Sequence, residues 1–293
     1  MTREELIARF DDLNVWKRGD QRAPHKPLLL LLALGRVSRG EDRLMEFSAI
    51  ESDLRELLEE FGPPSAPNTP HFPFWHLKTD RVWEIEGLPG AEERAPGDTP
   101  RLGEMRDRVR GGLVADIDAA LRDDPSVIRE LAEFLLAAHF PGSTYHEDIA
   151  SAVGMELGSA RLSRDPRFRD RVLVAYGYSC AVCGFDLRLR NAPLAVEAAH
   201  IKWHQAGGPS VTPNGLALCT MHHKLFDRGA MAVTGERRIV VSQLVNGSTG
   251  YDEFLGPFNG RPLREPQSPD QIPLEEYVGW HVSQVFKGDR RMF

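Results

Sequence analysis

The chain has 293 residues, of which 41% are hydrophobic and 27% charged, and a formal net charge of −7. That length accommodates one large core or two ordinary ones, because domains run to about 100–200 residues. The negative total excludes binding to a polyanion through overall charge, so any contact with nucleic acid has to come from a local basic patch. The opening MTREELIARFDDL lacks the apolar centre of a signal peptide. The longest apolar run, PLLLLLALG from Pro27 to Gly35, falls well short of the roughly 20 residues a membrane helix needs. The chain therefore reads as soluble and cytoplasmic, with no membrane partner.

Residues 2–16, TREELIARFDDLNVW, carry Leu6, Ile7, Phe10, Leu13 and Val15 at helical spacing. A second helix follows, with Pro27 in its first turn, Gly40 at its end, and Arg22, His25 and Lys26 just before it. FSAIESDLRELLEEFG predicts a third, amphipathic helix, capped by Ser48 and closed by Gly62. Inside the proline-rich stretch beyond it, FWHLKTDRVWEIEG predicts a strand hairpin turning at Thr79 and Asp80. Residues 91–112 look like a charged connector, and SVIRELAEFLLAAHF is a strong helix starting near Pro125 and Ser126 and stopped by PGST. Periodicity fades toward Gly158, which sets the expected boundary between domains at 1–158 and 159–293. Just past it, seven arginines (161, 164, 167, 169, 171, 188 and 190) face three aspartates (165, 170 and 186), a basic patch that the whole-chain total conceals.

The three cysteines, an odd number in a chain read as cytosolic, point to a metal more than to disulfides. Cys180 and Cys183 form C-x-x-C, and Cys219 and His222 form C-x-x-H. Each pair sets two ligands on one tight turn, and four protein ligands close a tetrahedral Zn²⁺ shell, which makes the site structural. Between the pairs, LAVEAAHI predicts a strand ending at His200, NGLAL a turn and second strand, and CTMHHKLFD the start of a helix.

From Arg171 to Gly229, the C-x-x-C, EAAHI, NGLALC and HHKLFDRG segments, in that order, resemble the HNH nucleases, whose fold is called ββα-metal. The resemblance implies a catalytic set of His200, Asn214 and His223, with His200 as general base and Asn214 tying the loop together and orienting that base. It implies His223 and Asp227 as ligands of a catalytic Mg²⁺ or Mn²⁺, and Glu197 as a supporting acid. A neutral imidazole suits deprotonation of water near pH 7, and a divalent cation neutralises charge on the transferring phosphate. His223 and Asp227, four apart, share a helical face. Many relatives carry a further metal ligand immediately before the base, where this chain has Ala199.

The N-terminal segments APHKPLLLLLALGRV, NTPHFPFWHLKTDRVWE and HFPGSTYHEDI, joined to this HNH core, resemble the sulfur-binding domain of McrA-like type IV restriction endonucleases. Such enzymes recognise double-stranded DNA in which sulfur replaces a non-bridging phosphate oxygen. The resemblance implies that Phe140, Pro141 and Thr144 line a sulfur cup, while Arg22, His25, Lys26 and His71 contact phosphates and base edges. Sulfur is larger and less well hydrated than oxygen, so an apolar cup can prefer it.

The expected fold class is α+β: a mainly helical N-terminal DNA-reading domain with a small hairpin, then a zinc-containing HNH domain. The expected activity is a modification-dependent DNA endonuclease. Two other readings stay open on these residues, a nuclease that reads another mark such as methylcytosine, and a zinc-stabilised DNA-binding protein with an inactive HNH site. Cutting both strands with one site per chain would take two copies, a homodimer on DNA, although no dimer motif accompanies it.

Overall fold

Every residue from Leu28 to Leu34 is buried, so the helix carrying them has no solvent face and lies in the middle of its core. In the computed structural model the chain divides into two units with main spans 1–160 and 161–293. The described residues are 1–15, 23–64, 68–91, 94, 97–106, 109–140, 145–155 and 166–292. The architecture is α+β.

The first unit contains α1 (Arg3–Asp11), α2 (His25–Ser38), β1 (Met45–Glu46), α3 (Phe47–Phe61) and α4 (His71–His76). They are followed by β2 (Trp83–Glu86), α5 (Leu102–Arg106), β3 (Arg110–Leu113), α6 (Ala115–Asp123), α7 (Ser126–His139) and α8 (Tyr145–Ala152). Helices α3, α4, α6 and α7 surround α2. Thr2 and Glu5 close a reciprocal capping box at the start of α1, and α1 stops five residues earlier than the periodicity suggested. His25 and Lys26 form the first turn of α2 rather than preceding it, and α3 starts after Glu46 without the predicted Ser48 cap.

The predicted hairpin at 74–87 does not form. FPFWH winds into α4, because Phe74, Trp75 and Leu77 all reach the core from one short helical segment, a spacing of three and one that a strand cannot supply. A 3₁₀ turn over Leu77–Asp80 follows. Only the second half of the expected hairpin is extended, and β2 pairs instead with β3, at the end of the stretch read as a connector, with Trp83 opposite Leu113. β3 also pairs with β1, giving an antiparallel sheet of order β1-β3-β2.

The second unit runs α9 (Pro166–Ala175), β4 (Arg188–Leu189), β5 (Ala192–Pro193), β6 (Val196–His200), β7 (Gly215–Cys219) and α10 (Thr220–Asp227). Then come β8 (Met231–Val233), β9 (Ile239–Val241), α11 (Thr249–Phe254) and α12 (Glu275–Gln284). β6 and β7 are antiparallel, from Val196 opposite Cys219 to His200 opposite Gly215, and α10 follows β7 directly, so the expected strand, strand and helix are all present. A core of Val172, Leu173, Leu216, Leu218, Phe226 and their neighbours lies around them. On α12, His281 stacks on Phe226 at 3.6 Å and its Nε2 is 3.0 Å from the Phe226 carbonyl, which makes it a structural histidine that clamps the end of α10.

Candidate functional sites in the two units

Cys219 is the extended residue just before α10, and His222 lies one turn further on. Their Sγ and Nδ1 atoms are 3.1 Å apart. His222 Nδ1 is 3.7 Å from Cys180 Sγ, and Cys183 Sγ is 4.0 Å from Cys219 Sγ. The four ligand atoms lie within 4.8 Å of one another. Tetrahedral ligands about 2.3 Å from a zinc are about 3.8 Å apart, so this Cys₃His set fits structural Zn²⁺. His222 Nε2 donates to the Phe254 carbonyl at 2.9 Å, which fixes the tautomer and leaves Nδ1 as the ligand atom. Hydrogen bonds among the three thiols lower the Cys180 pKa and raise that of Cys219, the behaviour of a thiol cluster that shares a single negative charge when no metal is bound.

His200 ends β6 with its ring stacked on Phe168 of α9 at 3.9 Å and 16°. Its Nε2 is 3.2 Å from the Ser210 hydroxyl, and Arg171 donates to the Ser210 carbonyl at 2.8 Å. The stack depends on Gly215, opposite His200 in the ladder: a Cβ there would come within 2.4 Å of Val172 and 3.1 Å of the Phe168 ring. Gly215 has φ −131, so close approach of α9, rather than turn geometry, requires glycine at this position.

Asn214 is fully buried. Its Oδ1 accepts from the Lys202 amide at 2.8 Å, and its Nδ2 donates to the carbonyls of Lys202 and Pro209, both at 2.9 Å. One side chain thus closes the loop that follows His200. Asn214→Ala would remove three part-buried hydrogen bonds to the backbone, each worth about 1 kcal/mol. A loss of about 3 kcal/mol is expected in urea unfolding of the second unit, and a change below 1 kcal/mol would contradict it.

His223 and Asp227 are both buried. Glu197 Oε2 lies 2.7 Å from His223 Nδ1, and Asp227 Oδ2 lies 3.3 Å from His223 Nε2. A proton on Nδ1 directed at Glu197 leaves the Nε2 lone pair facing a carboxylate oxygen. Two buried acceptors at that distance need a proton or a cation between them. Ala199 is fully buried in the core and offers no ligand atom. The residues that sequence reasoning missed here are Phe168 and Ser210; Phe168 was hidden in a segment whose visible signal was arginine.

In the first unit, the Lys26 ammonium is held by Asp80 and by the Asn14 carbonyl at 2.8 Å. It therefore fastens the start of α2 to the turn after α4. Phe140 ends α7 in extended conformation, fully buried, and stacks on Tyr145, with His146 Nε2 3.1 Å from its carbonyl. Pro141, Thr144 and Arg22 lie outside the described residues. His71 is half-buried and packs edge-on against Phe72.

Burial lowers the pKa of His71 and of His76. The unfolded chain then takes up protons first as pH falls through about 6.5, so these two groups make the first unit less stable on acidification. Its melting temperature should be lower at pH 5.5 than at pH 7.5, and the difference should shrink in His71→Asn/His76→Asn. An unchanged difference in that variant would contradict the assignment.

Residues 3–157 match the family model described as ScoMcrA-like, DNA sulfur-binding domain, and residues 180–234 match that of an HNH endonuclease. Among solved structures, the sulfur-binding domain of SprMcrA complexed with phosphorothioated DNA is 22% identical, with a TM-score of 0.44, covering 53% of this chain and 95% of that one. The corresponding ScoMcrA complex is 25% identical, with a TM-score of 0.44, covering 51% and 94%. A modification-dependent TagI restriction endonuclease is 24% identical, with a TM-score of 0.30, covering 45% and 41%. No curated protein matches the chain.

Proposed function

The chain belongs to the ScoMcrA-like DNA sulfur-binding domain family, and on that premise we propose that it is a type IV restriction endonuclease that recognises phosphorothioate-modified double-stranded DNA and hydrolyses phosphodiester bonds nearby. The observation that carries this reading is the union, in one chain, of that domain with an HNH segment whose His200, Asn214, His223 and Asp227 stand on the expected strand, loop and helix.

In this reading His200 removes a proton from the attacking water. Phe168 and Ser210 hold its ring, and Asn214 holds the loop beside it. Removal of a proton by a well-placed imidazole contributes about 10²–10⁴ in rate. The His223–Asp227 separation of 3.3 Å is close to the ~3 Å between adjacent ligands of an octahedral cation with ~2.1 Å bonds, so this pair would hold Mg²⁺ or Mn²⁺. When bound, the ion neutralises charge on the phosphate and stabilises the departing 3′ oxygen. Glu197 orients His223 through Nδ1.

On the reading side, Phe140 supplies the apolar floor of the sulfur cup and Pro141 and Thr144 its rim. Phosphate and base-edge contacts fall to Arg22, His25 and His71, while Lys26 keeps the α2 start in place. Equilibrium binding of the full chain, without divalent cation, should favour a duplex with one phosphorothioate over the same unmodified duplex by at least tenfold. Phe140→Ala should erase that preference, and equal affinity in the parent protein would sink the reader assignment.

A further inference from the structure

The short ribbon formed by β4 and β5, Leu187–Leu194, has no part in the zinc site or in the His200 centre. Its register sets Leu189 opposite Ala192, and the Leu194 amide donates to the Leu187 carbonyl at 2.8 Å. Directly opposed residues share a face of a ladder, and residues two apart along a strand share it too. Leu187, Leu189, Ala192 and Leu194 therefore make one apolar face, yet their leucines are 60%, 66% and 44% exposed. Aliphatic side chains at this exposure on a two-stranded ribbon leave much of their apolar surface in water, and each would contribute more once covered.

The other face and the tip are basic. Arg188 lies over the Tyr178 ring at 5.3 Å, and Arg190 sits at the turn with φ 56. A duplex presents phosphates to the arginines and sugars and base edges to the leucines, and minor-groove binders commonly seat apolar side chains such as leucine there. β6 leads from the foot of the ribbon to His200 over five residues, about 16 Å at 3.3 Å per residue. We propose that the Leu187–Leu194 ribbon is a sequence-independent DNA contact, with its leucines in the minor groove and Arg188 and Arg190 on the flanking phosphates, that holds the duplex away from the reacting phosphate.

This inference rests on the nuclease reading, but its test is independent of cutting and of the modification. Binding of the full chain to an unmodified duplex is measured across a range of salt concentrations, without divalent cation. Leu187→Ser/Leu189→Ser should weaken binding about tenfold and leave the salt slope unchanged, because no charge is lost. Arg188→Gln/Arg190→Gln should lower the slope by about 2, since each phosphate contact contributes about 0.9. Zinc content and melting temperature should match the parent in both variants, and both should weaken modified and unmodified duplexes equally. Parental affinity and slope in both variants would overturn the proposal. So would a leucine variant that shifts a dimer to a monomer in light scattering without changing DNA affinity, which would assign the face to a second copy. Loss of phosphorothioate preference in the parent would remove the reader role and leave this result standing.

Discussion

His222→Ala is expected to release the zinc and unfold the second unit, while the first unit keeps its helical signal and its own melting transition. The Cys₃His cluster ties the turn at Cys180–Cys183 to the start of α10 across 35 intervening residues. Cys180 and Cys219 are themselves buried members of the core. Structural zinc contributes about 10–16 kcal/mol of apparent binding free energy in small zinc modules, against a total stability of about 5–15 kcal/mol for an ordinary domain. Removing one ligand also opens the shell to water and leaves the buried thiolates without their counter-charge. Metal analysis should fall from about one zinc per chain to near zero, and protease should digest the segment beyond residue 166. A zinc-free His222→Ala protein with the parental melting profile would rule out a structural role for the cluster.

The neighbouring histidine should behave in the opposite way. His223→Ala removes the imidazole between Glu197 and Asp227 but no zinc ligand, so the protein should stay folded and zinc-loaded and bind DNA without cutting it. His200→Ala should give the same phenotype through loss of the base. Cleavage is expected to fall about 10²–10⁴-fold, with DNA affinity within about twofold of the parent. Adjacent residues on a helix project about 100° apart, which is how CTMHHKLFD sends His222 to one metal site and His223 to another. Cleavage at the parental rate by His200→Ala would remove His200 from the role of general base.

How much of this was legible in the sequence varies with the range of the interactions involved. Cys180, Cys183, Cys219 and His222 could be grouped from spacing alone, because ligand geometry demands short steps within each pair. β6, β7 and α10 were legible for a related reason: EAAHI, NGLALC and HHKLFD are apolar or turn-forming over one element each. The α4 segment was not, since FPFWH alternates enough to suggest a strand, and only burial of Phe74, Trp75 and Leu77 on one side decides for a helix. β3 was hidden in RGGL, where Gly111 and Gly112 permit close approach of Phe74 and of the Arg43 carbonyl but carry no strand signal of their own. The support of His200 by Phe168 and Ser210 is tertiary, between residues 32 and 10 positions away, and no local pattern announces it. Lys26 illustrates the converse: the resemblance implied a phosphate or base-edge contact, and the fold sets Asp80 beside its ammonium.

The most direct test of the account is a cleavage assay with Mg²⁺ or Mn²⁺ on one duplex prepared with and without a single phosphorothioate. Strand scission is expected only in the modified duplex, near the mark, and abolished by His200→Ala. Equal cutting of both duplexes, or no cutting of either by folded, zinc-loaded protein, would contradict it.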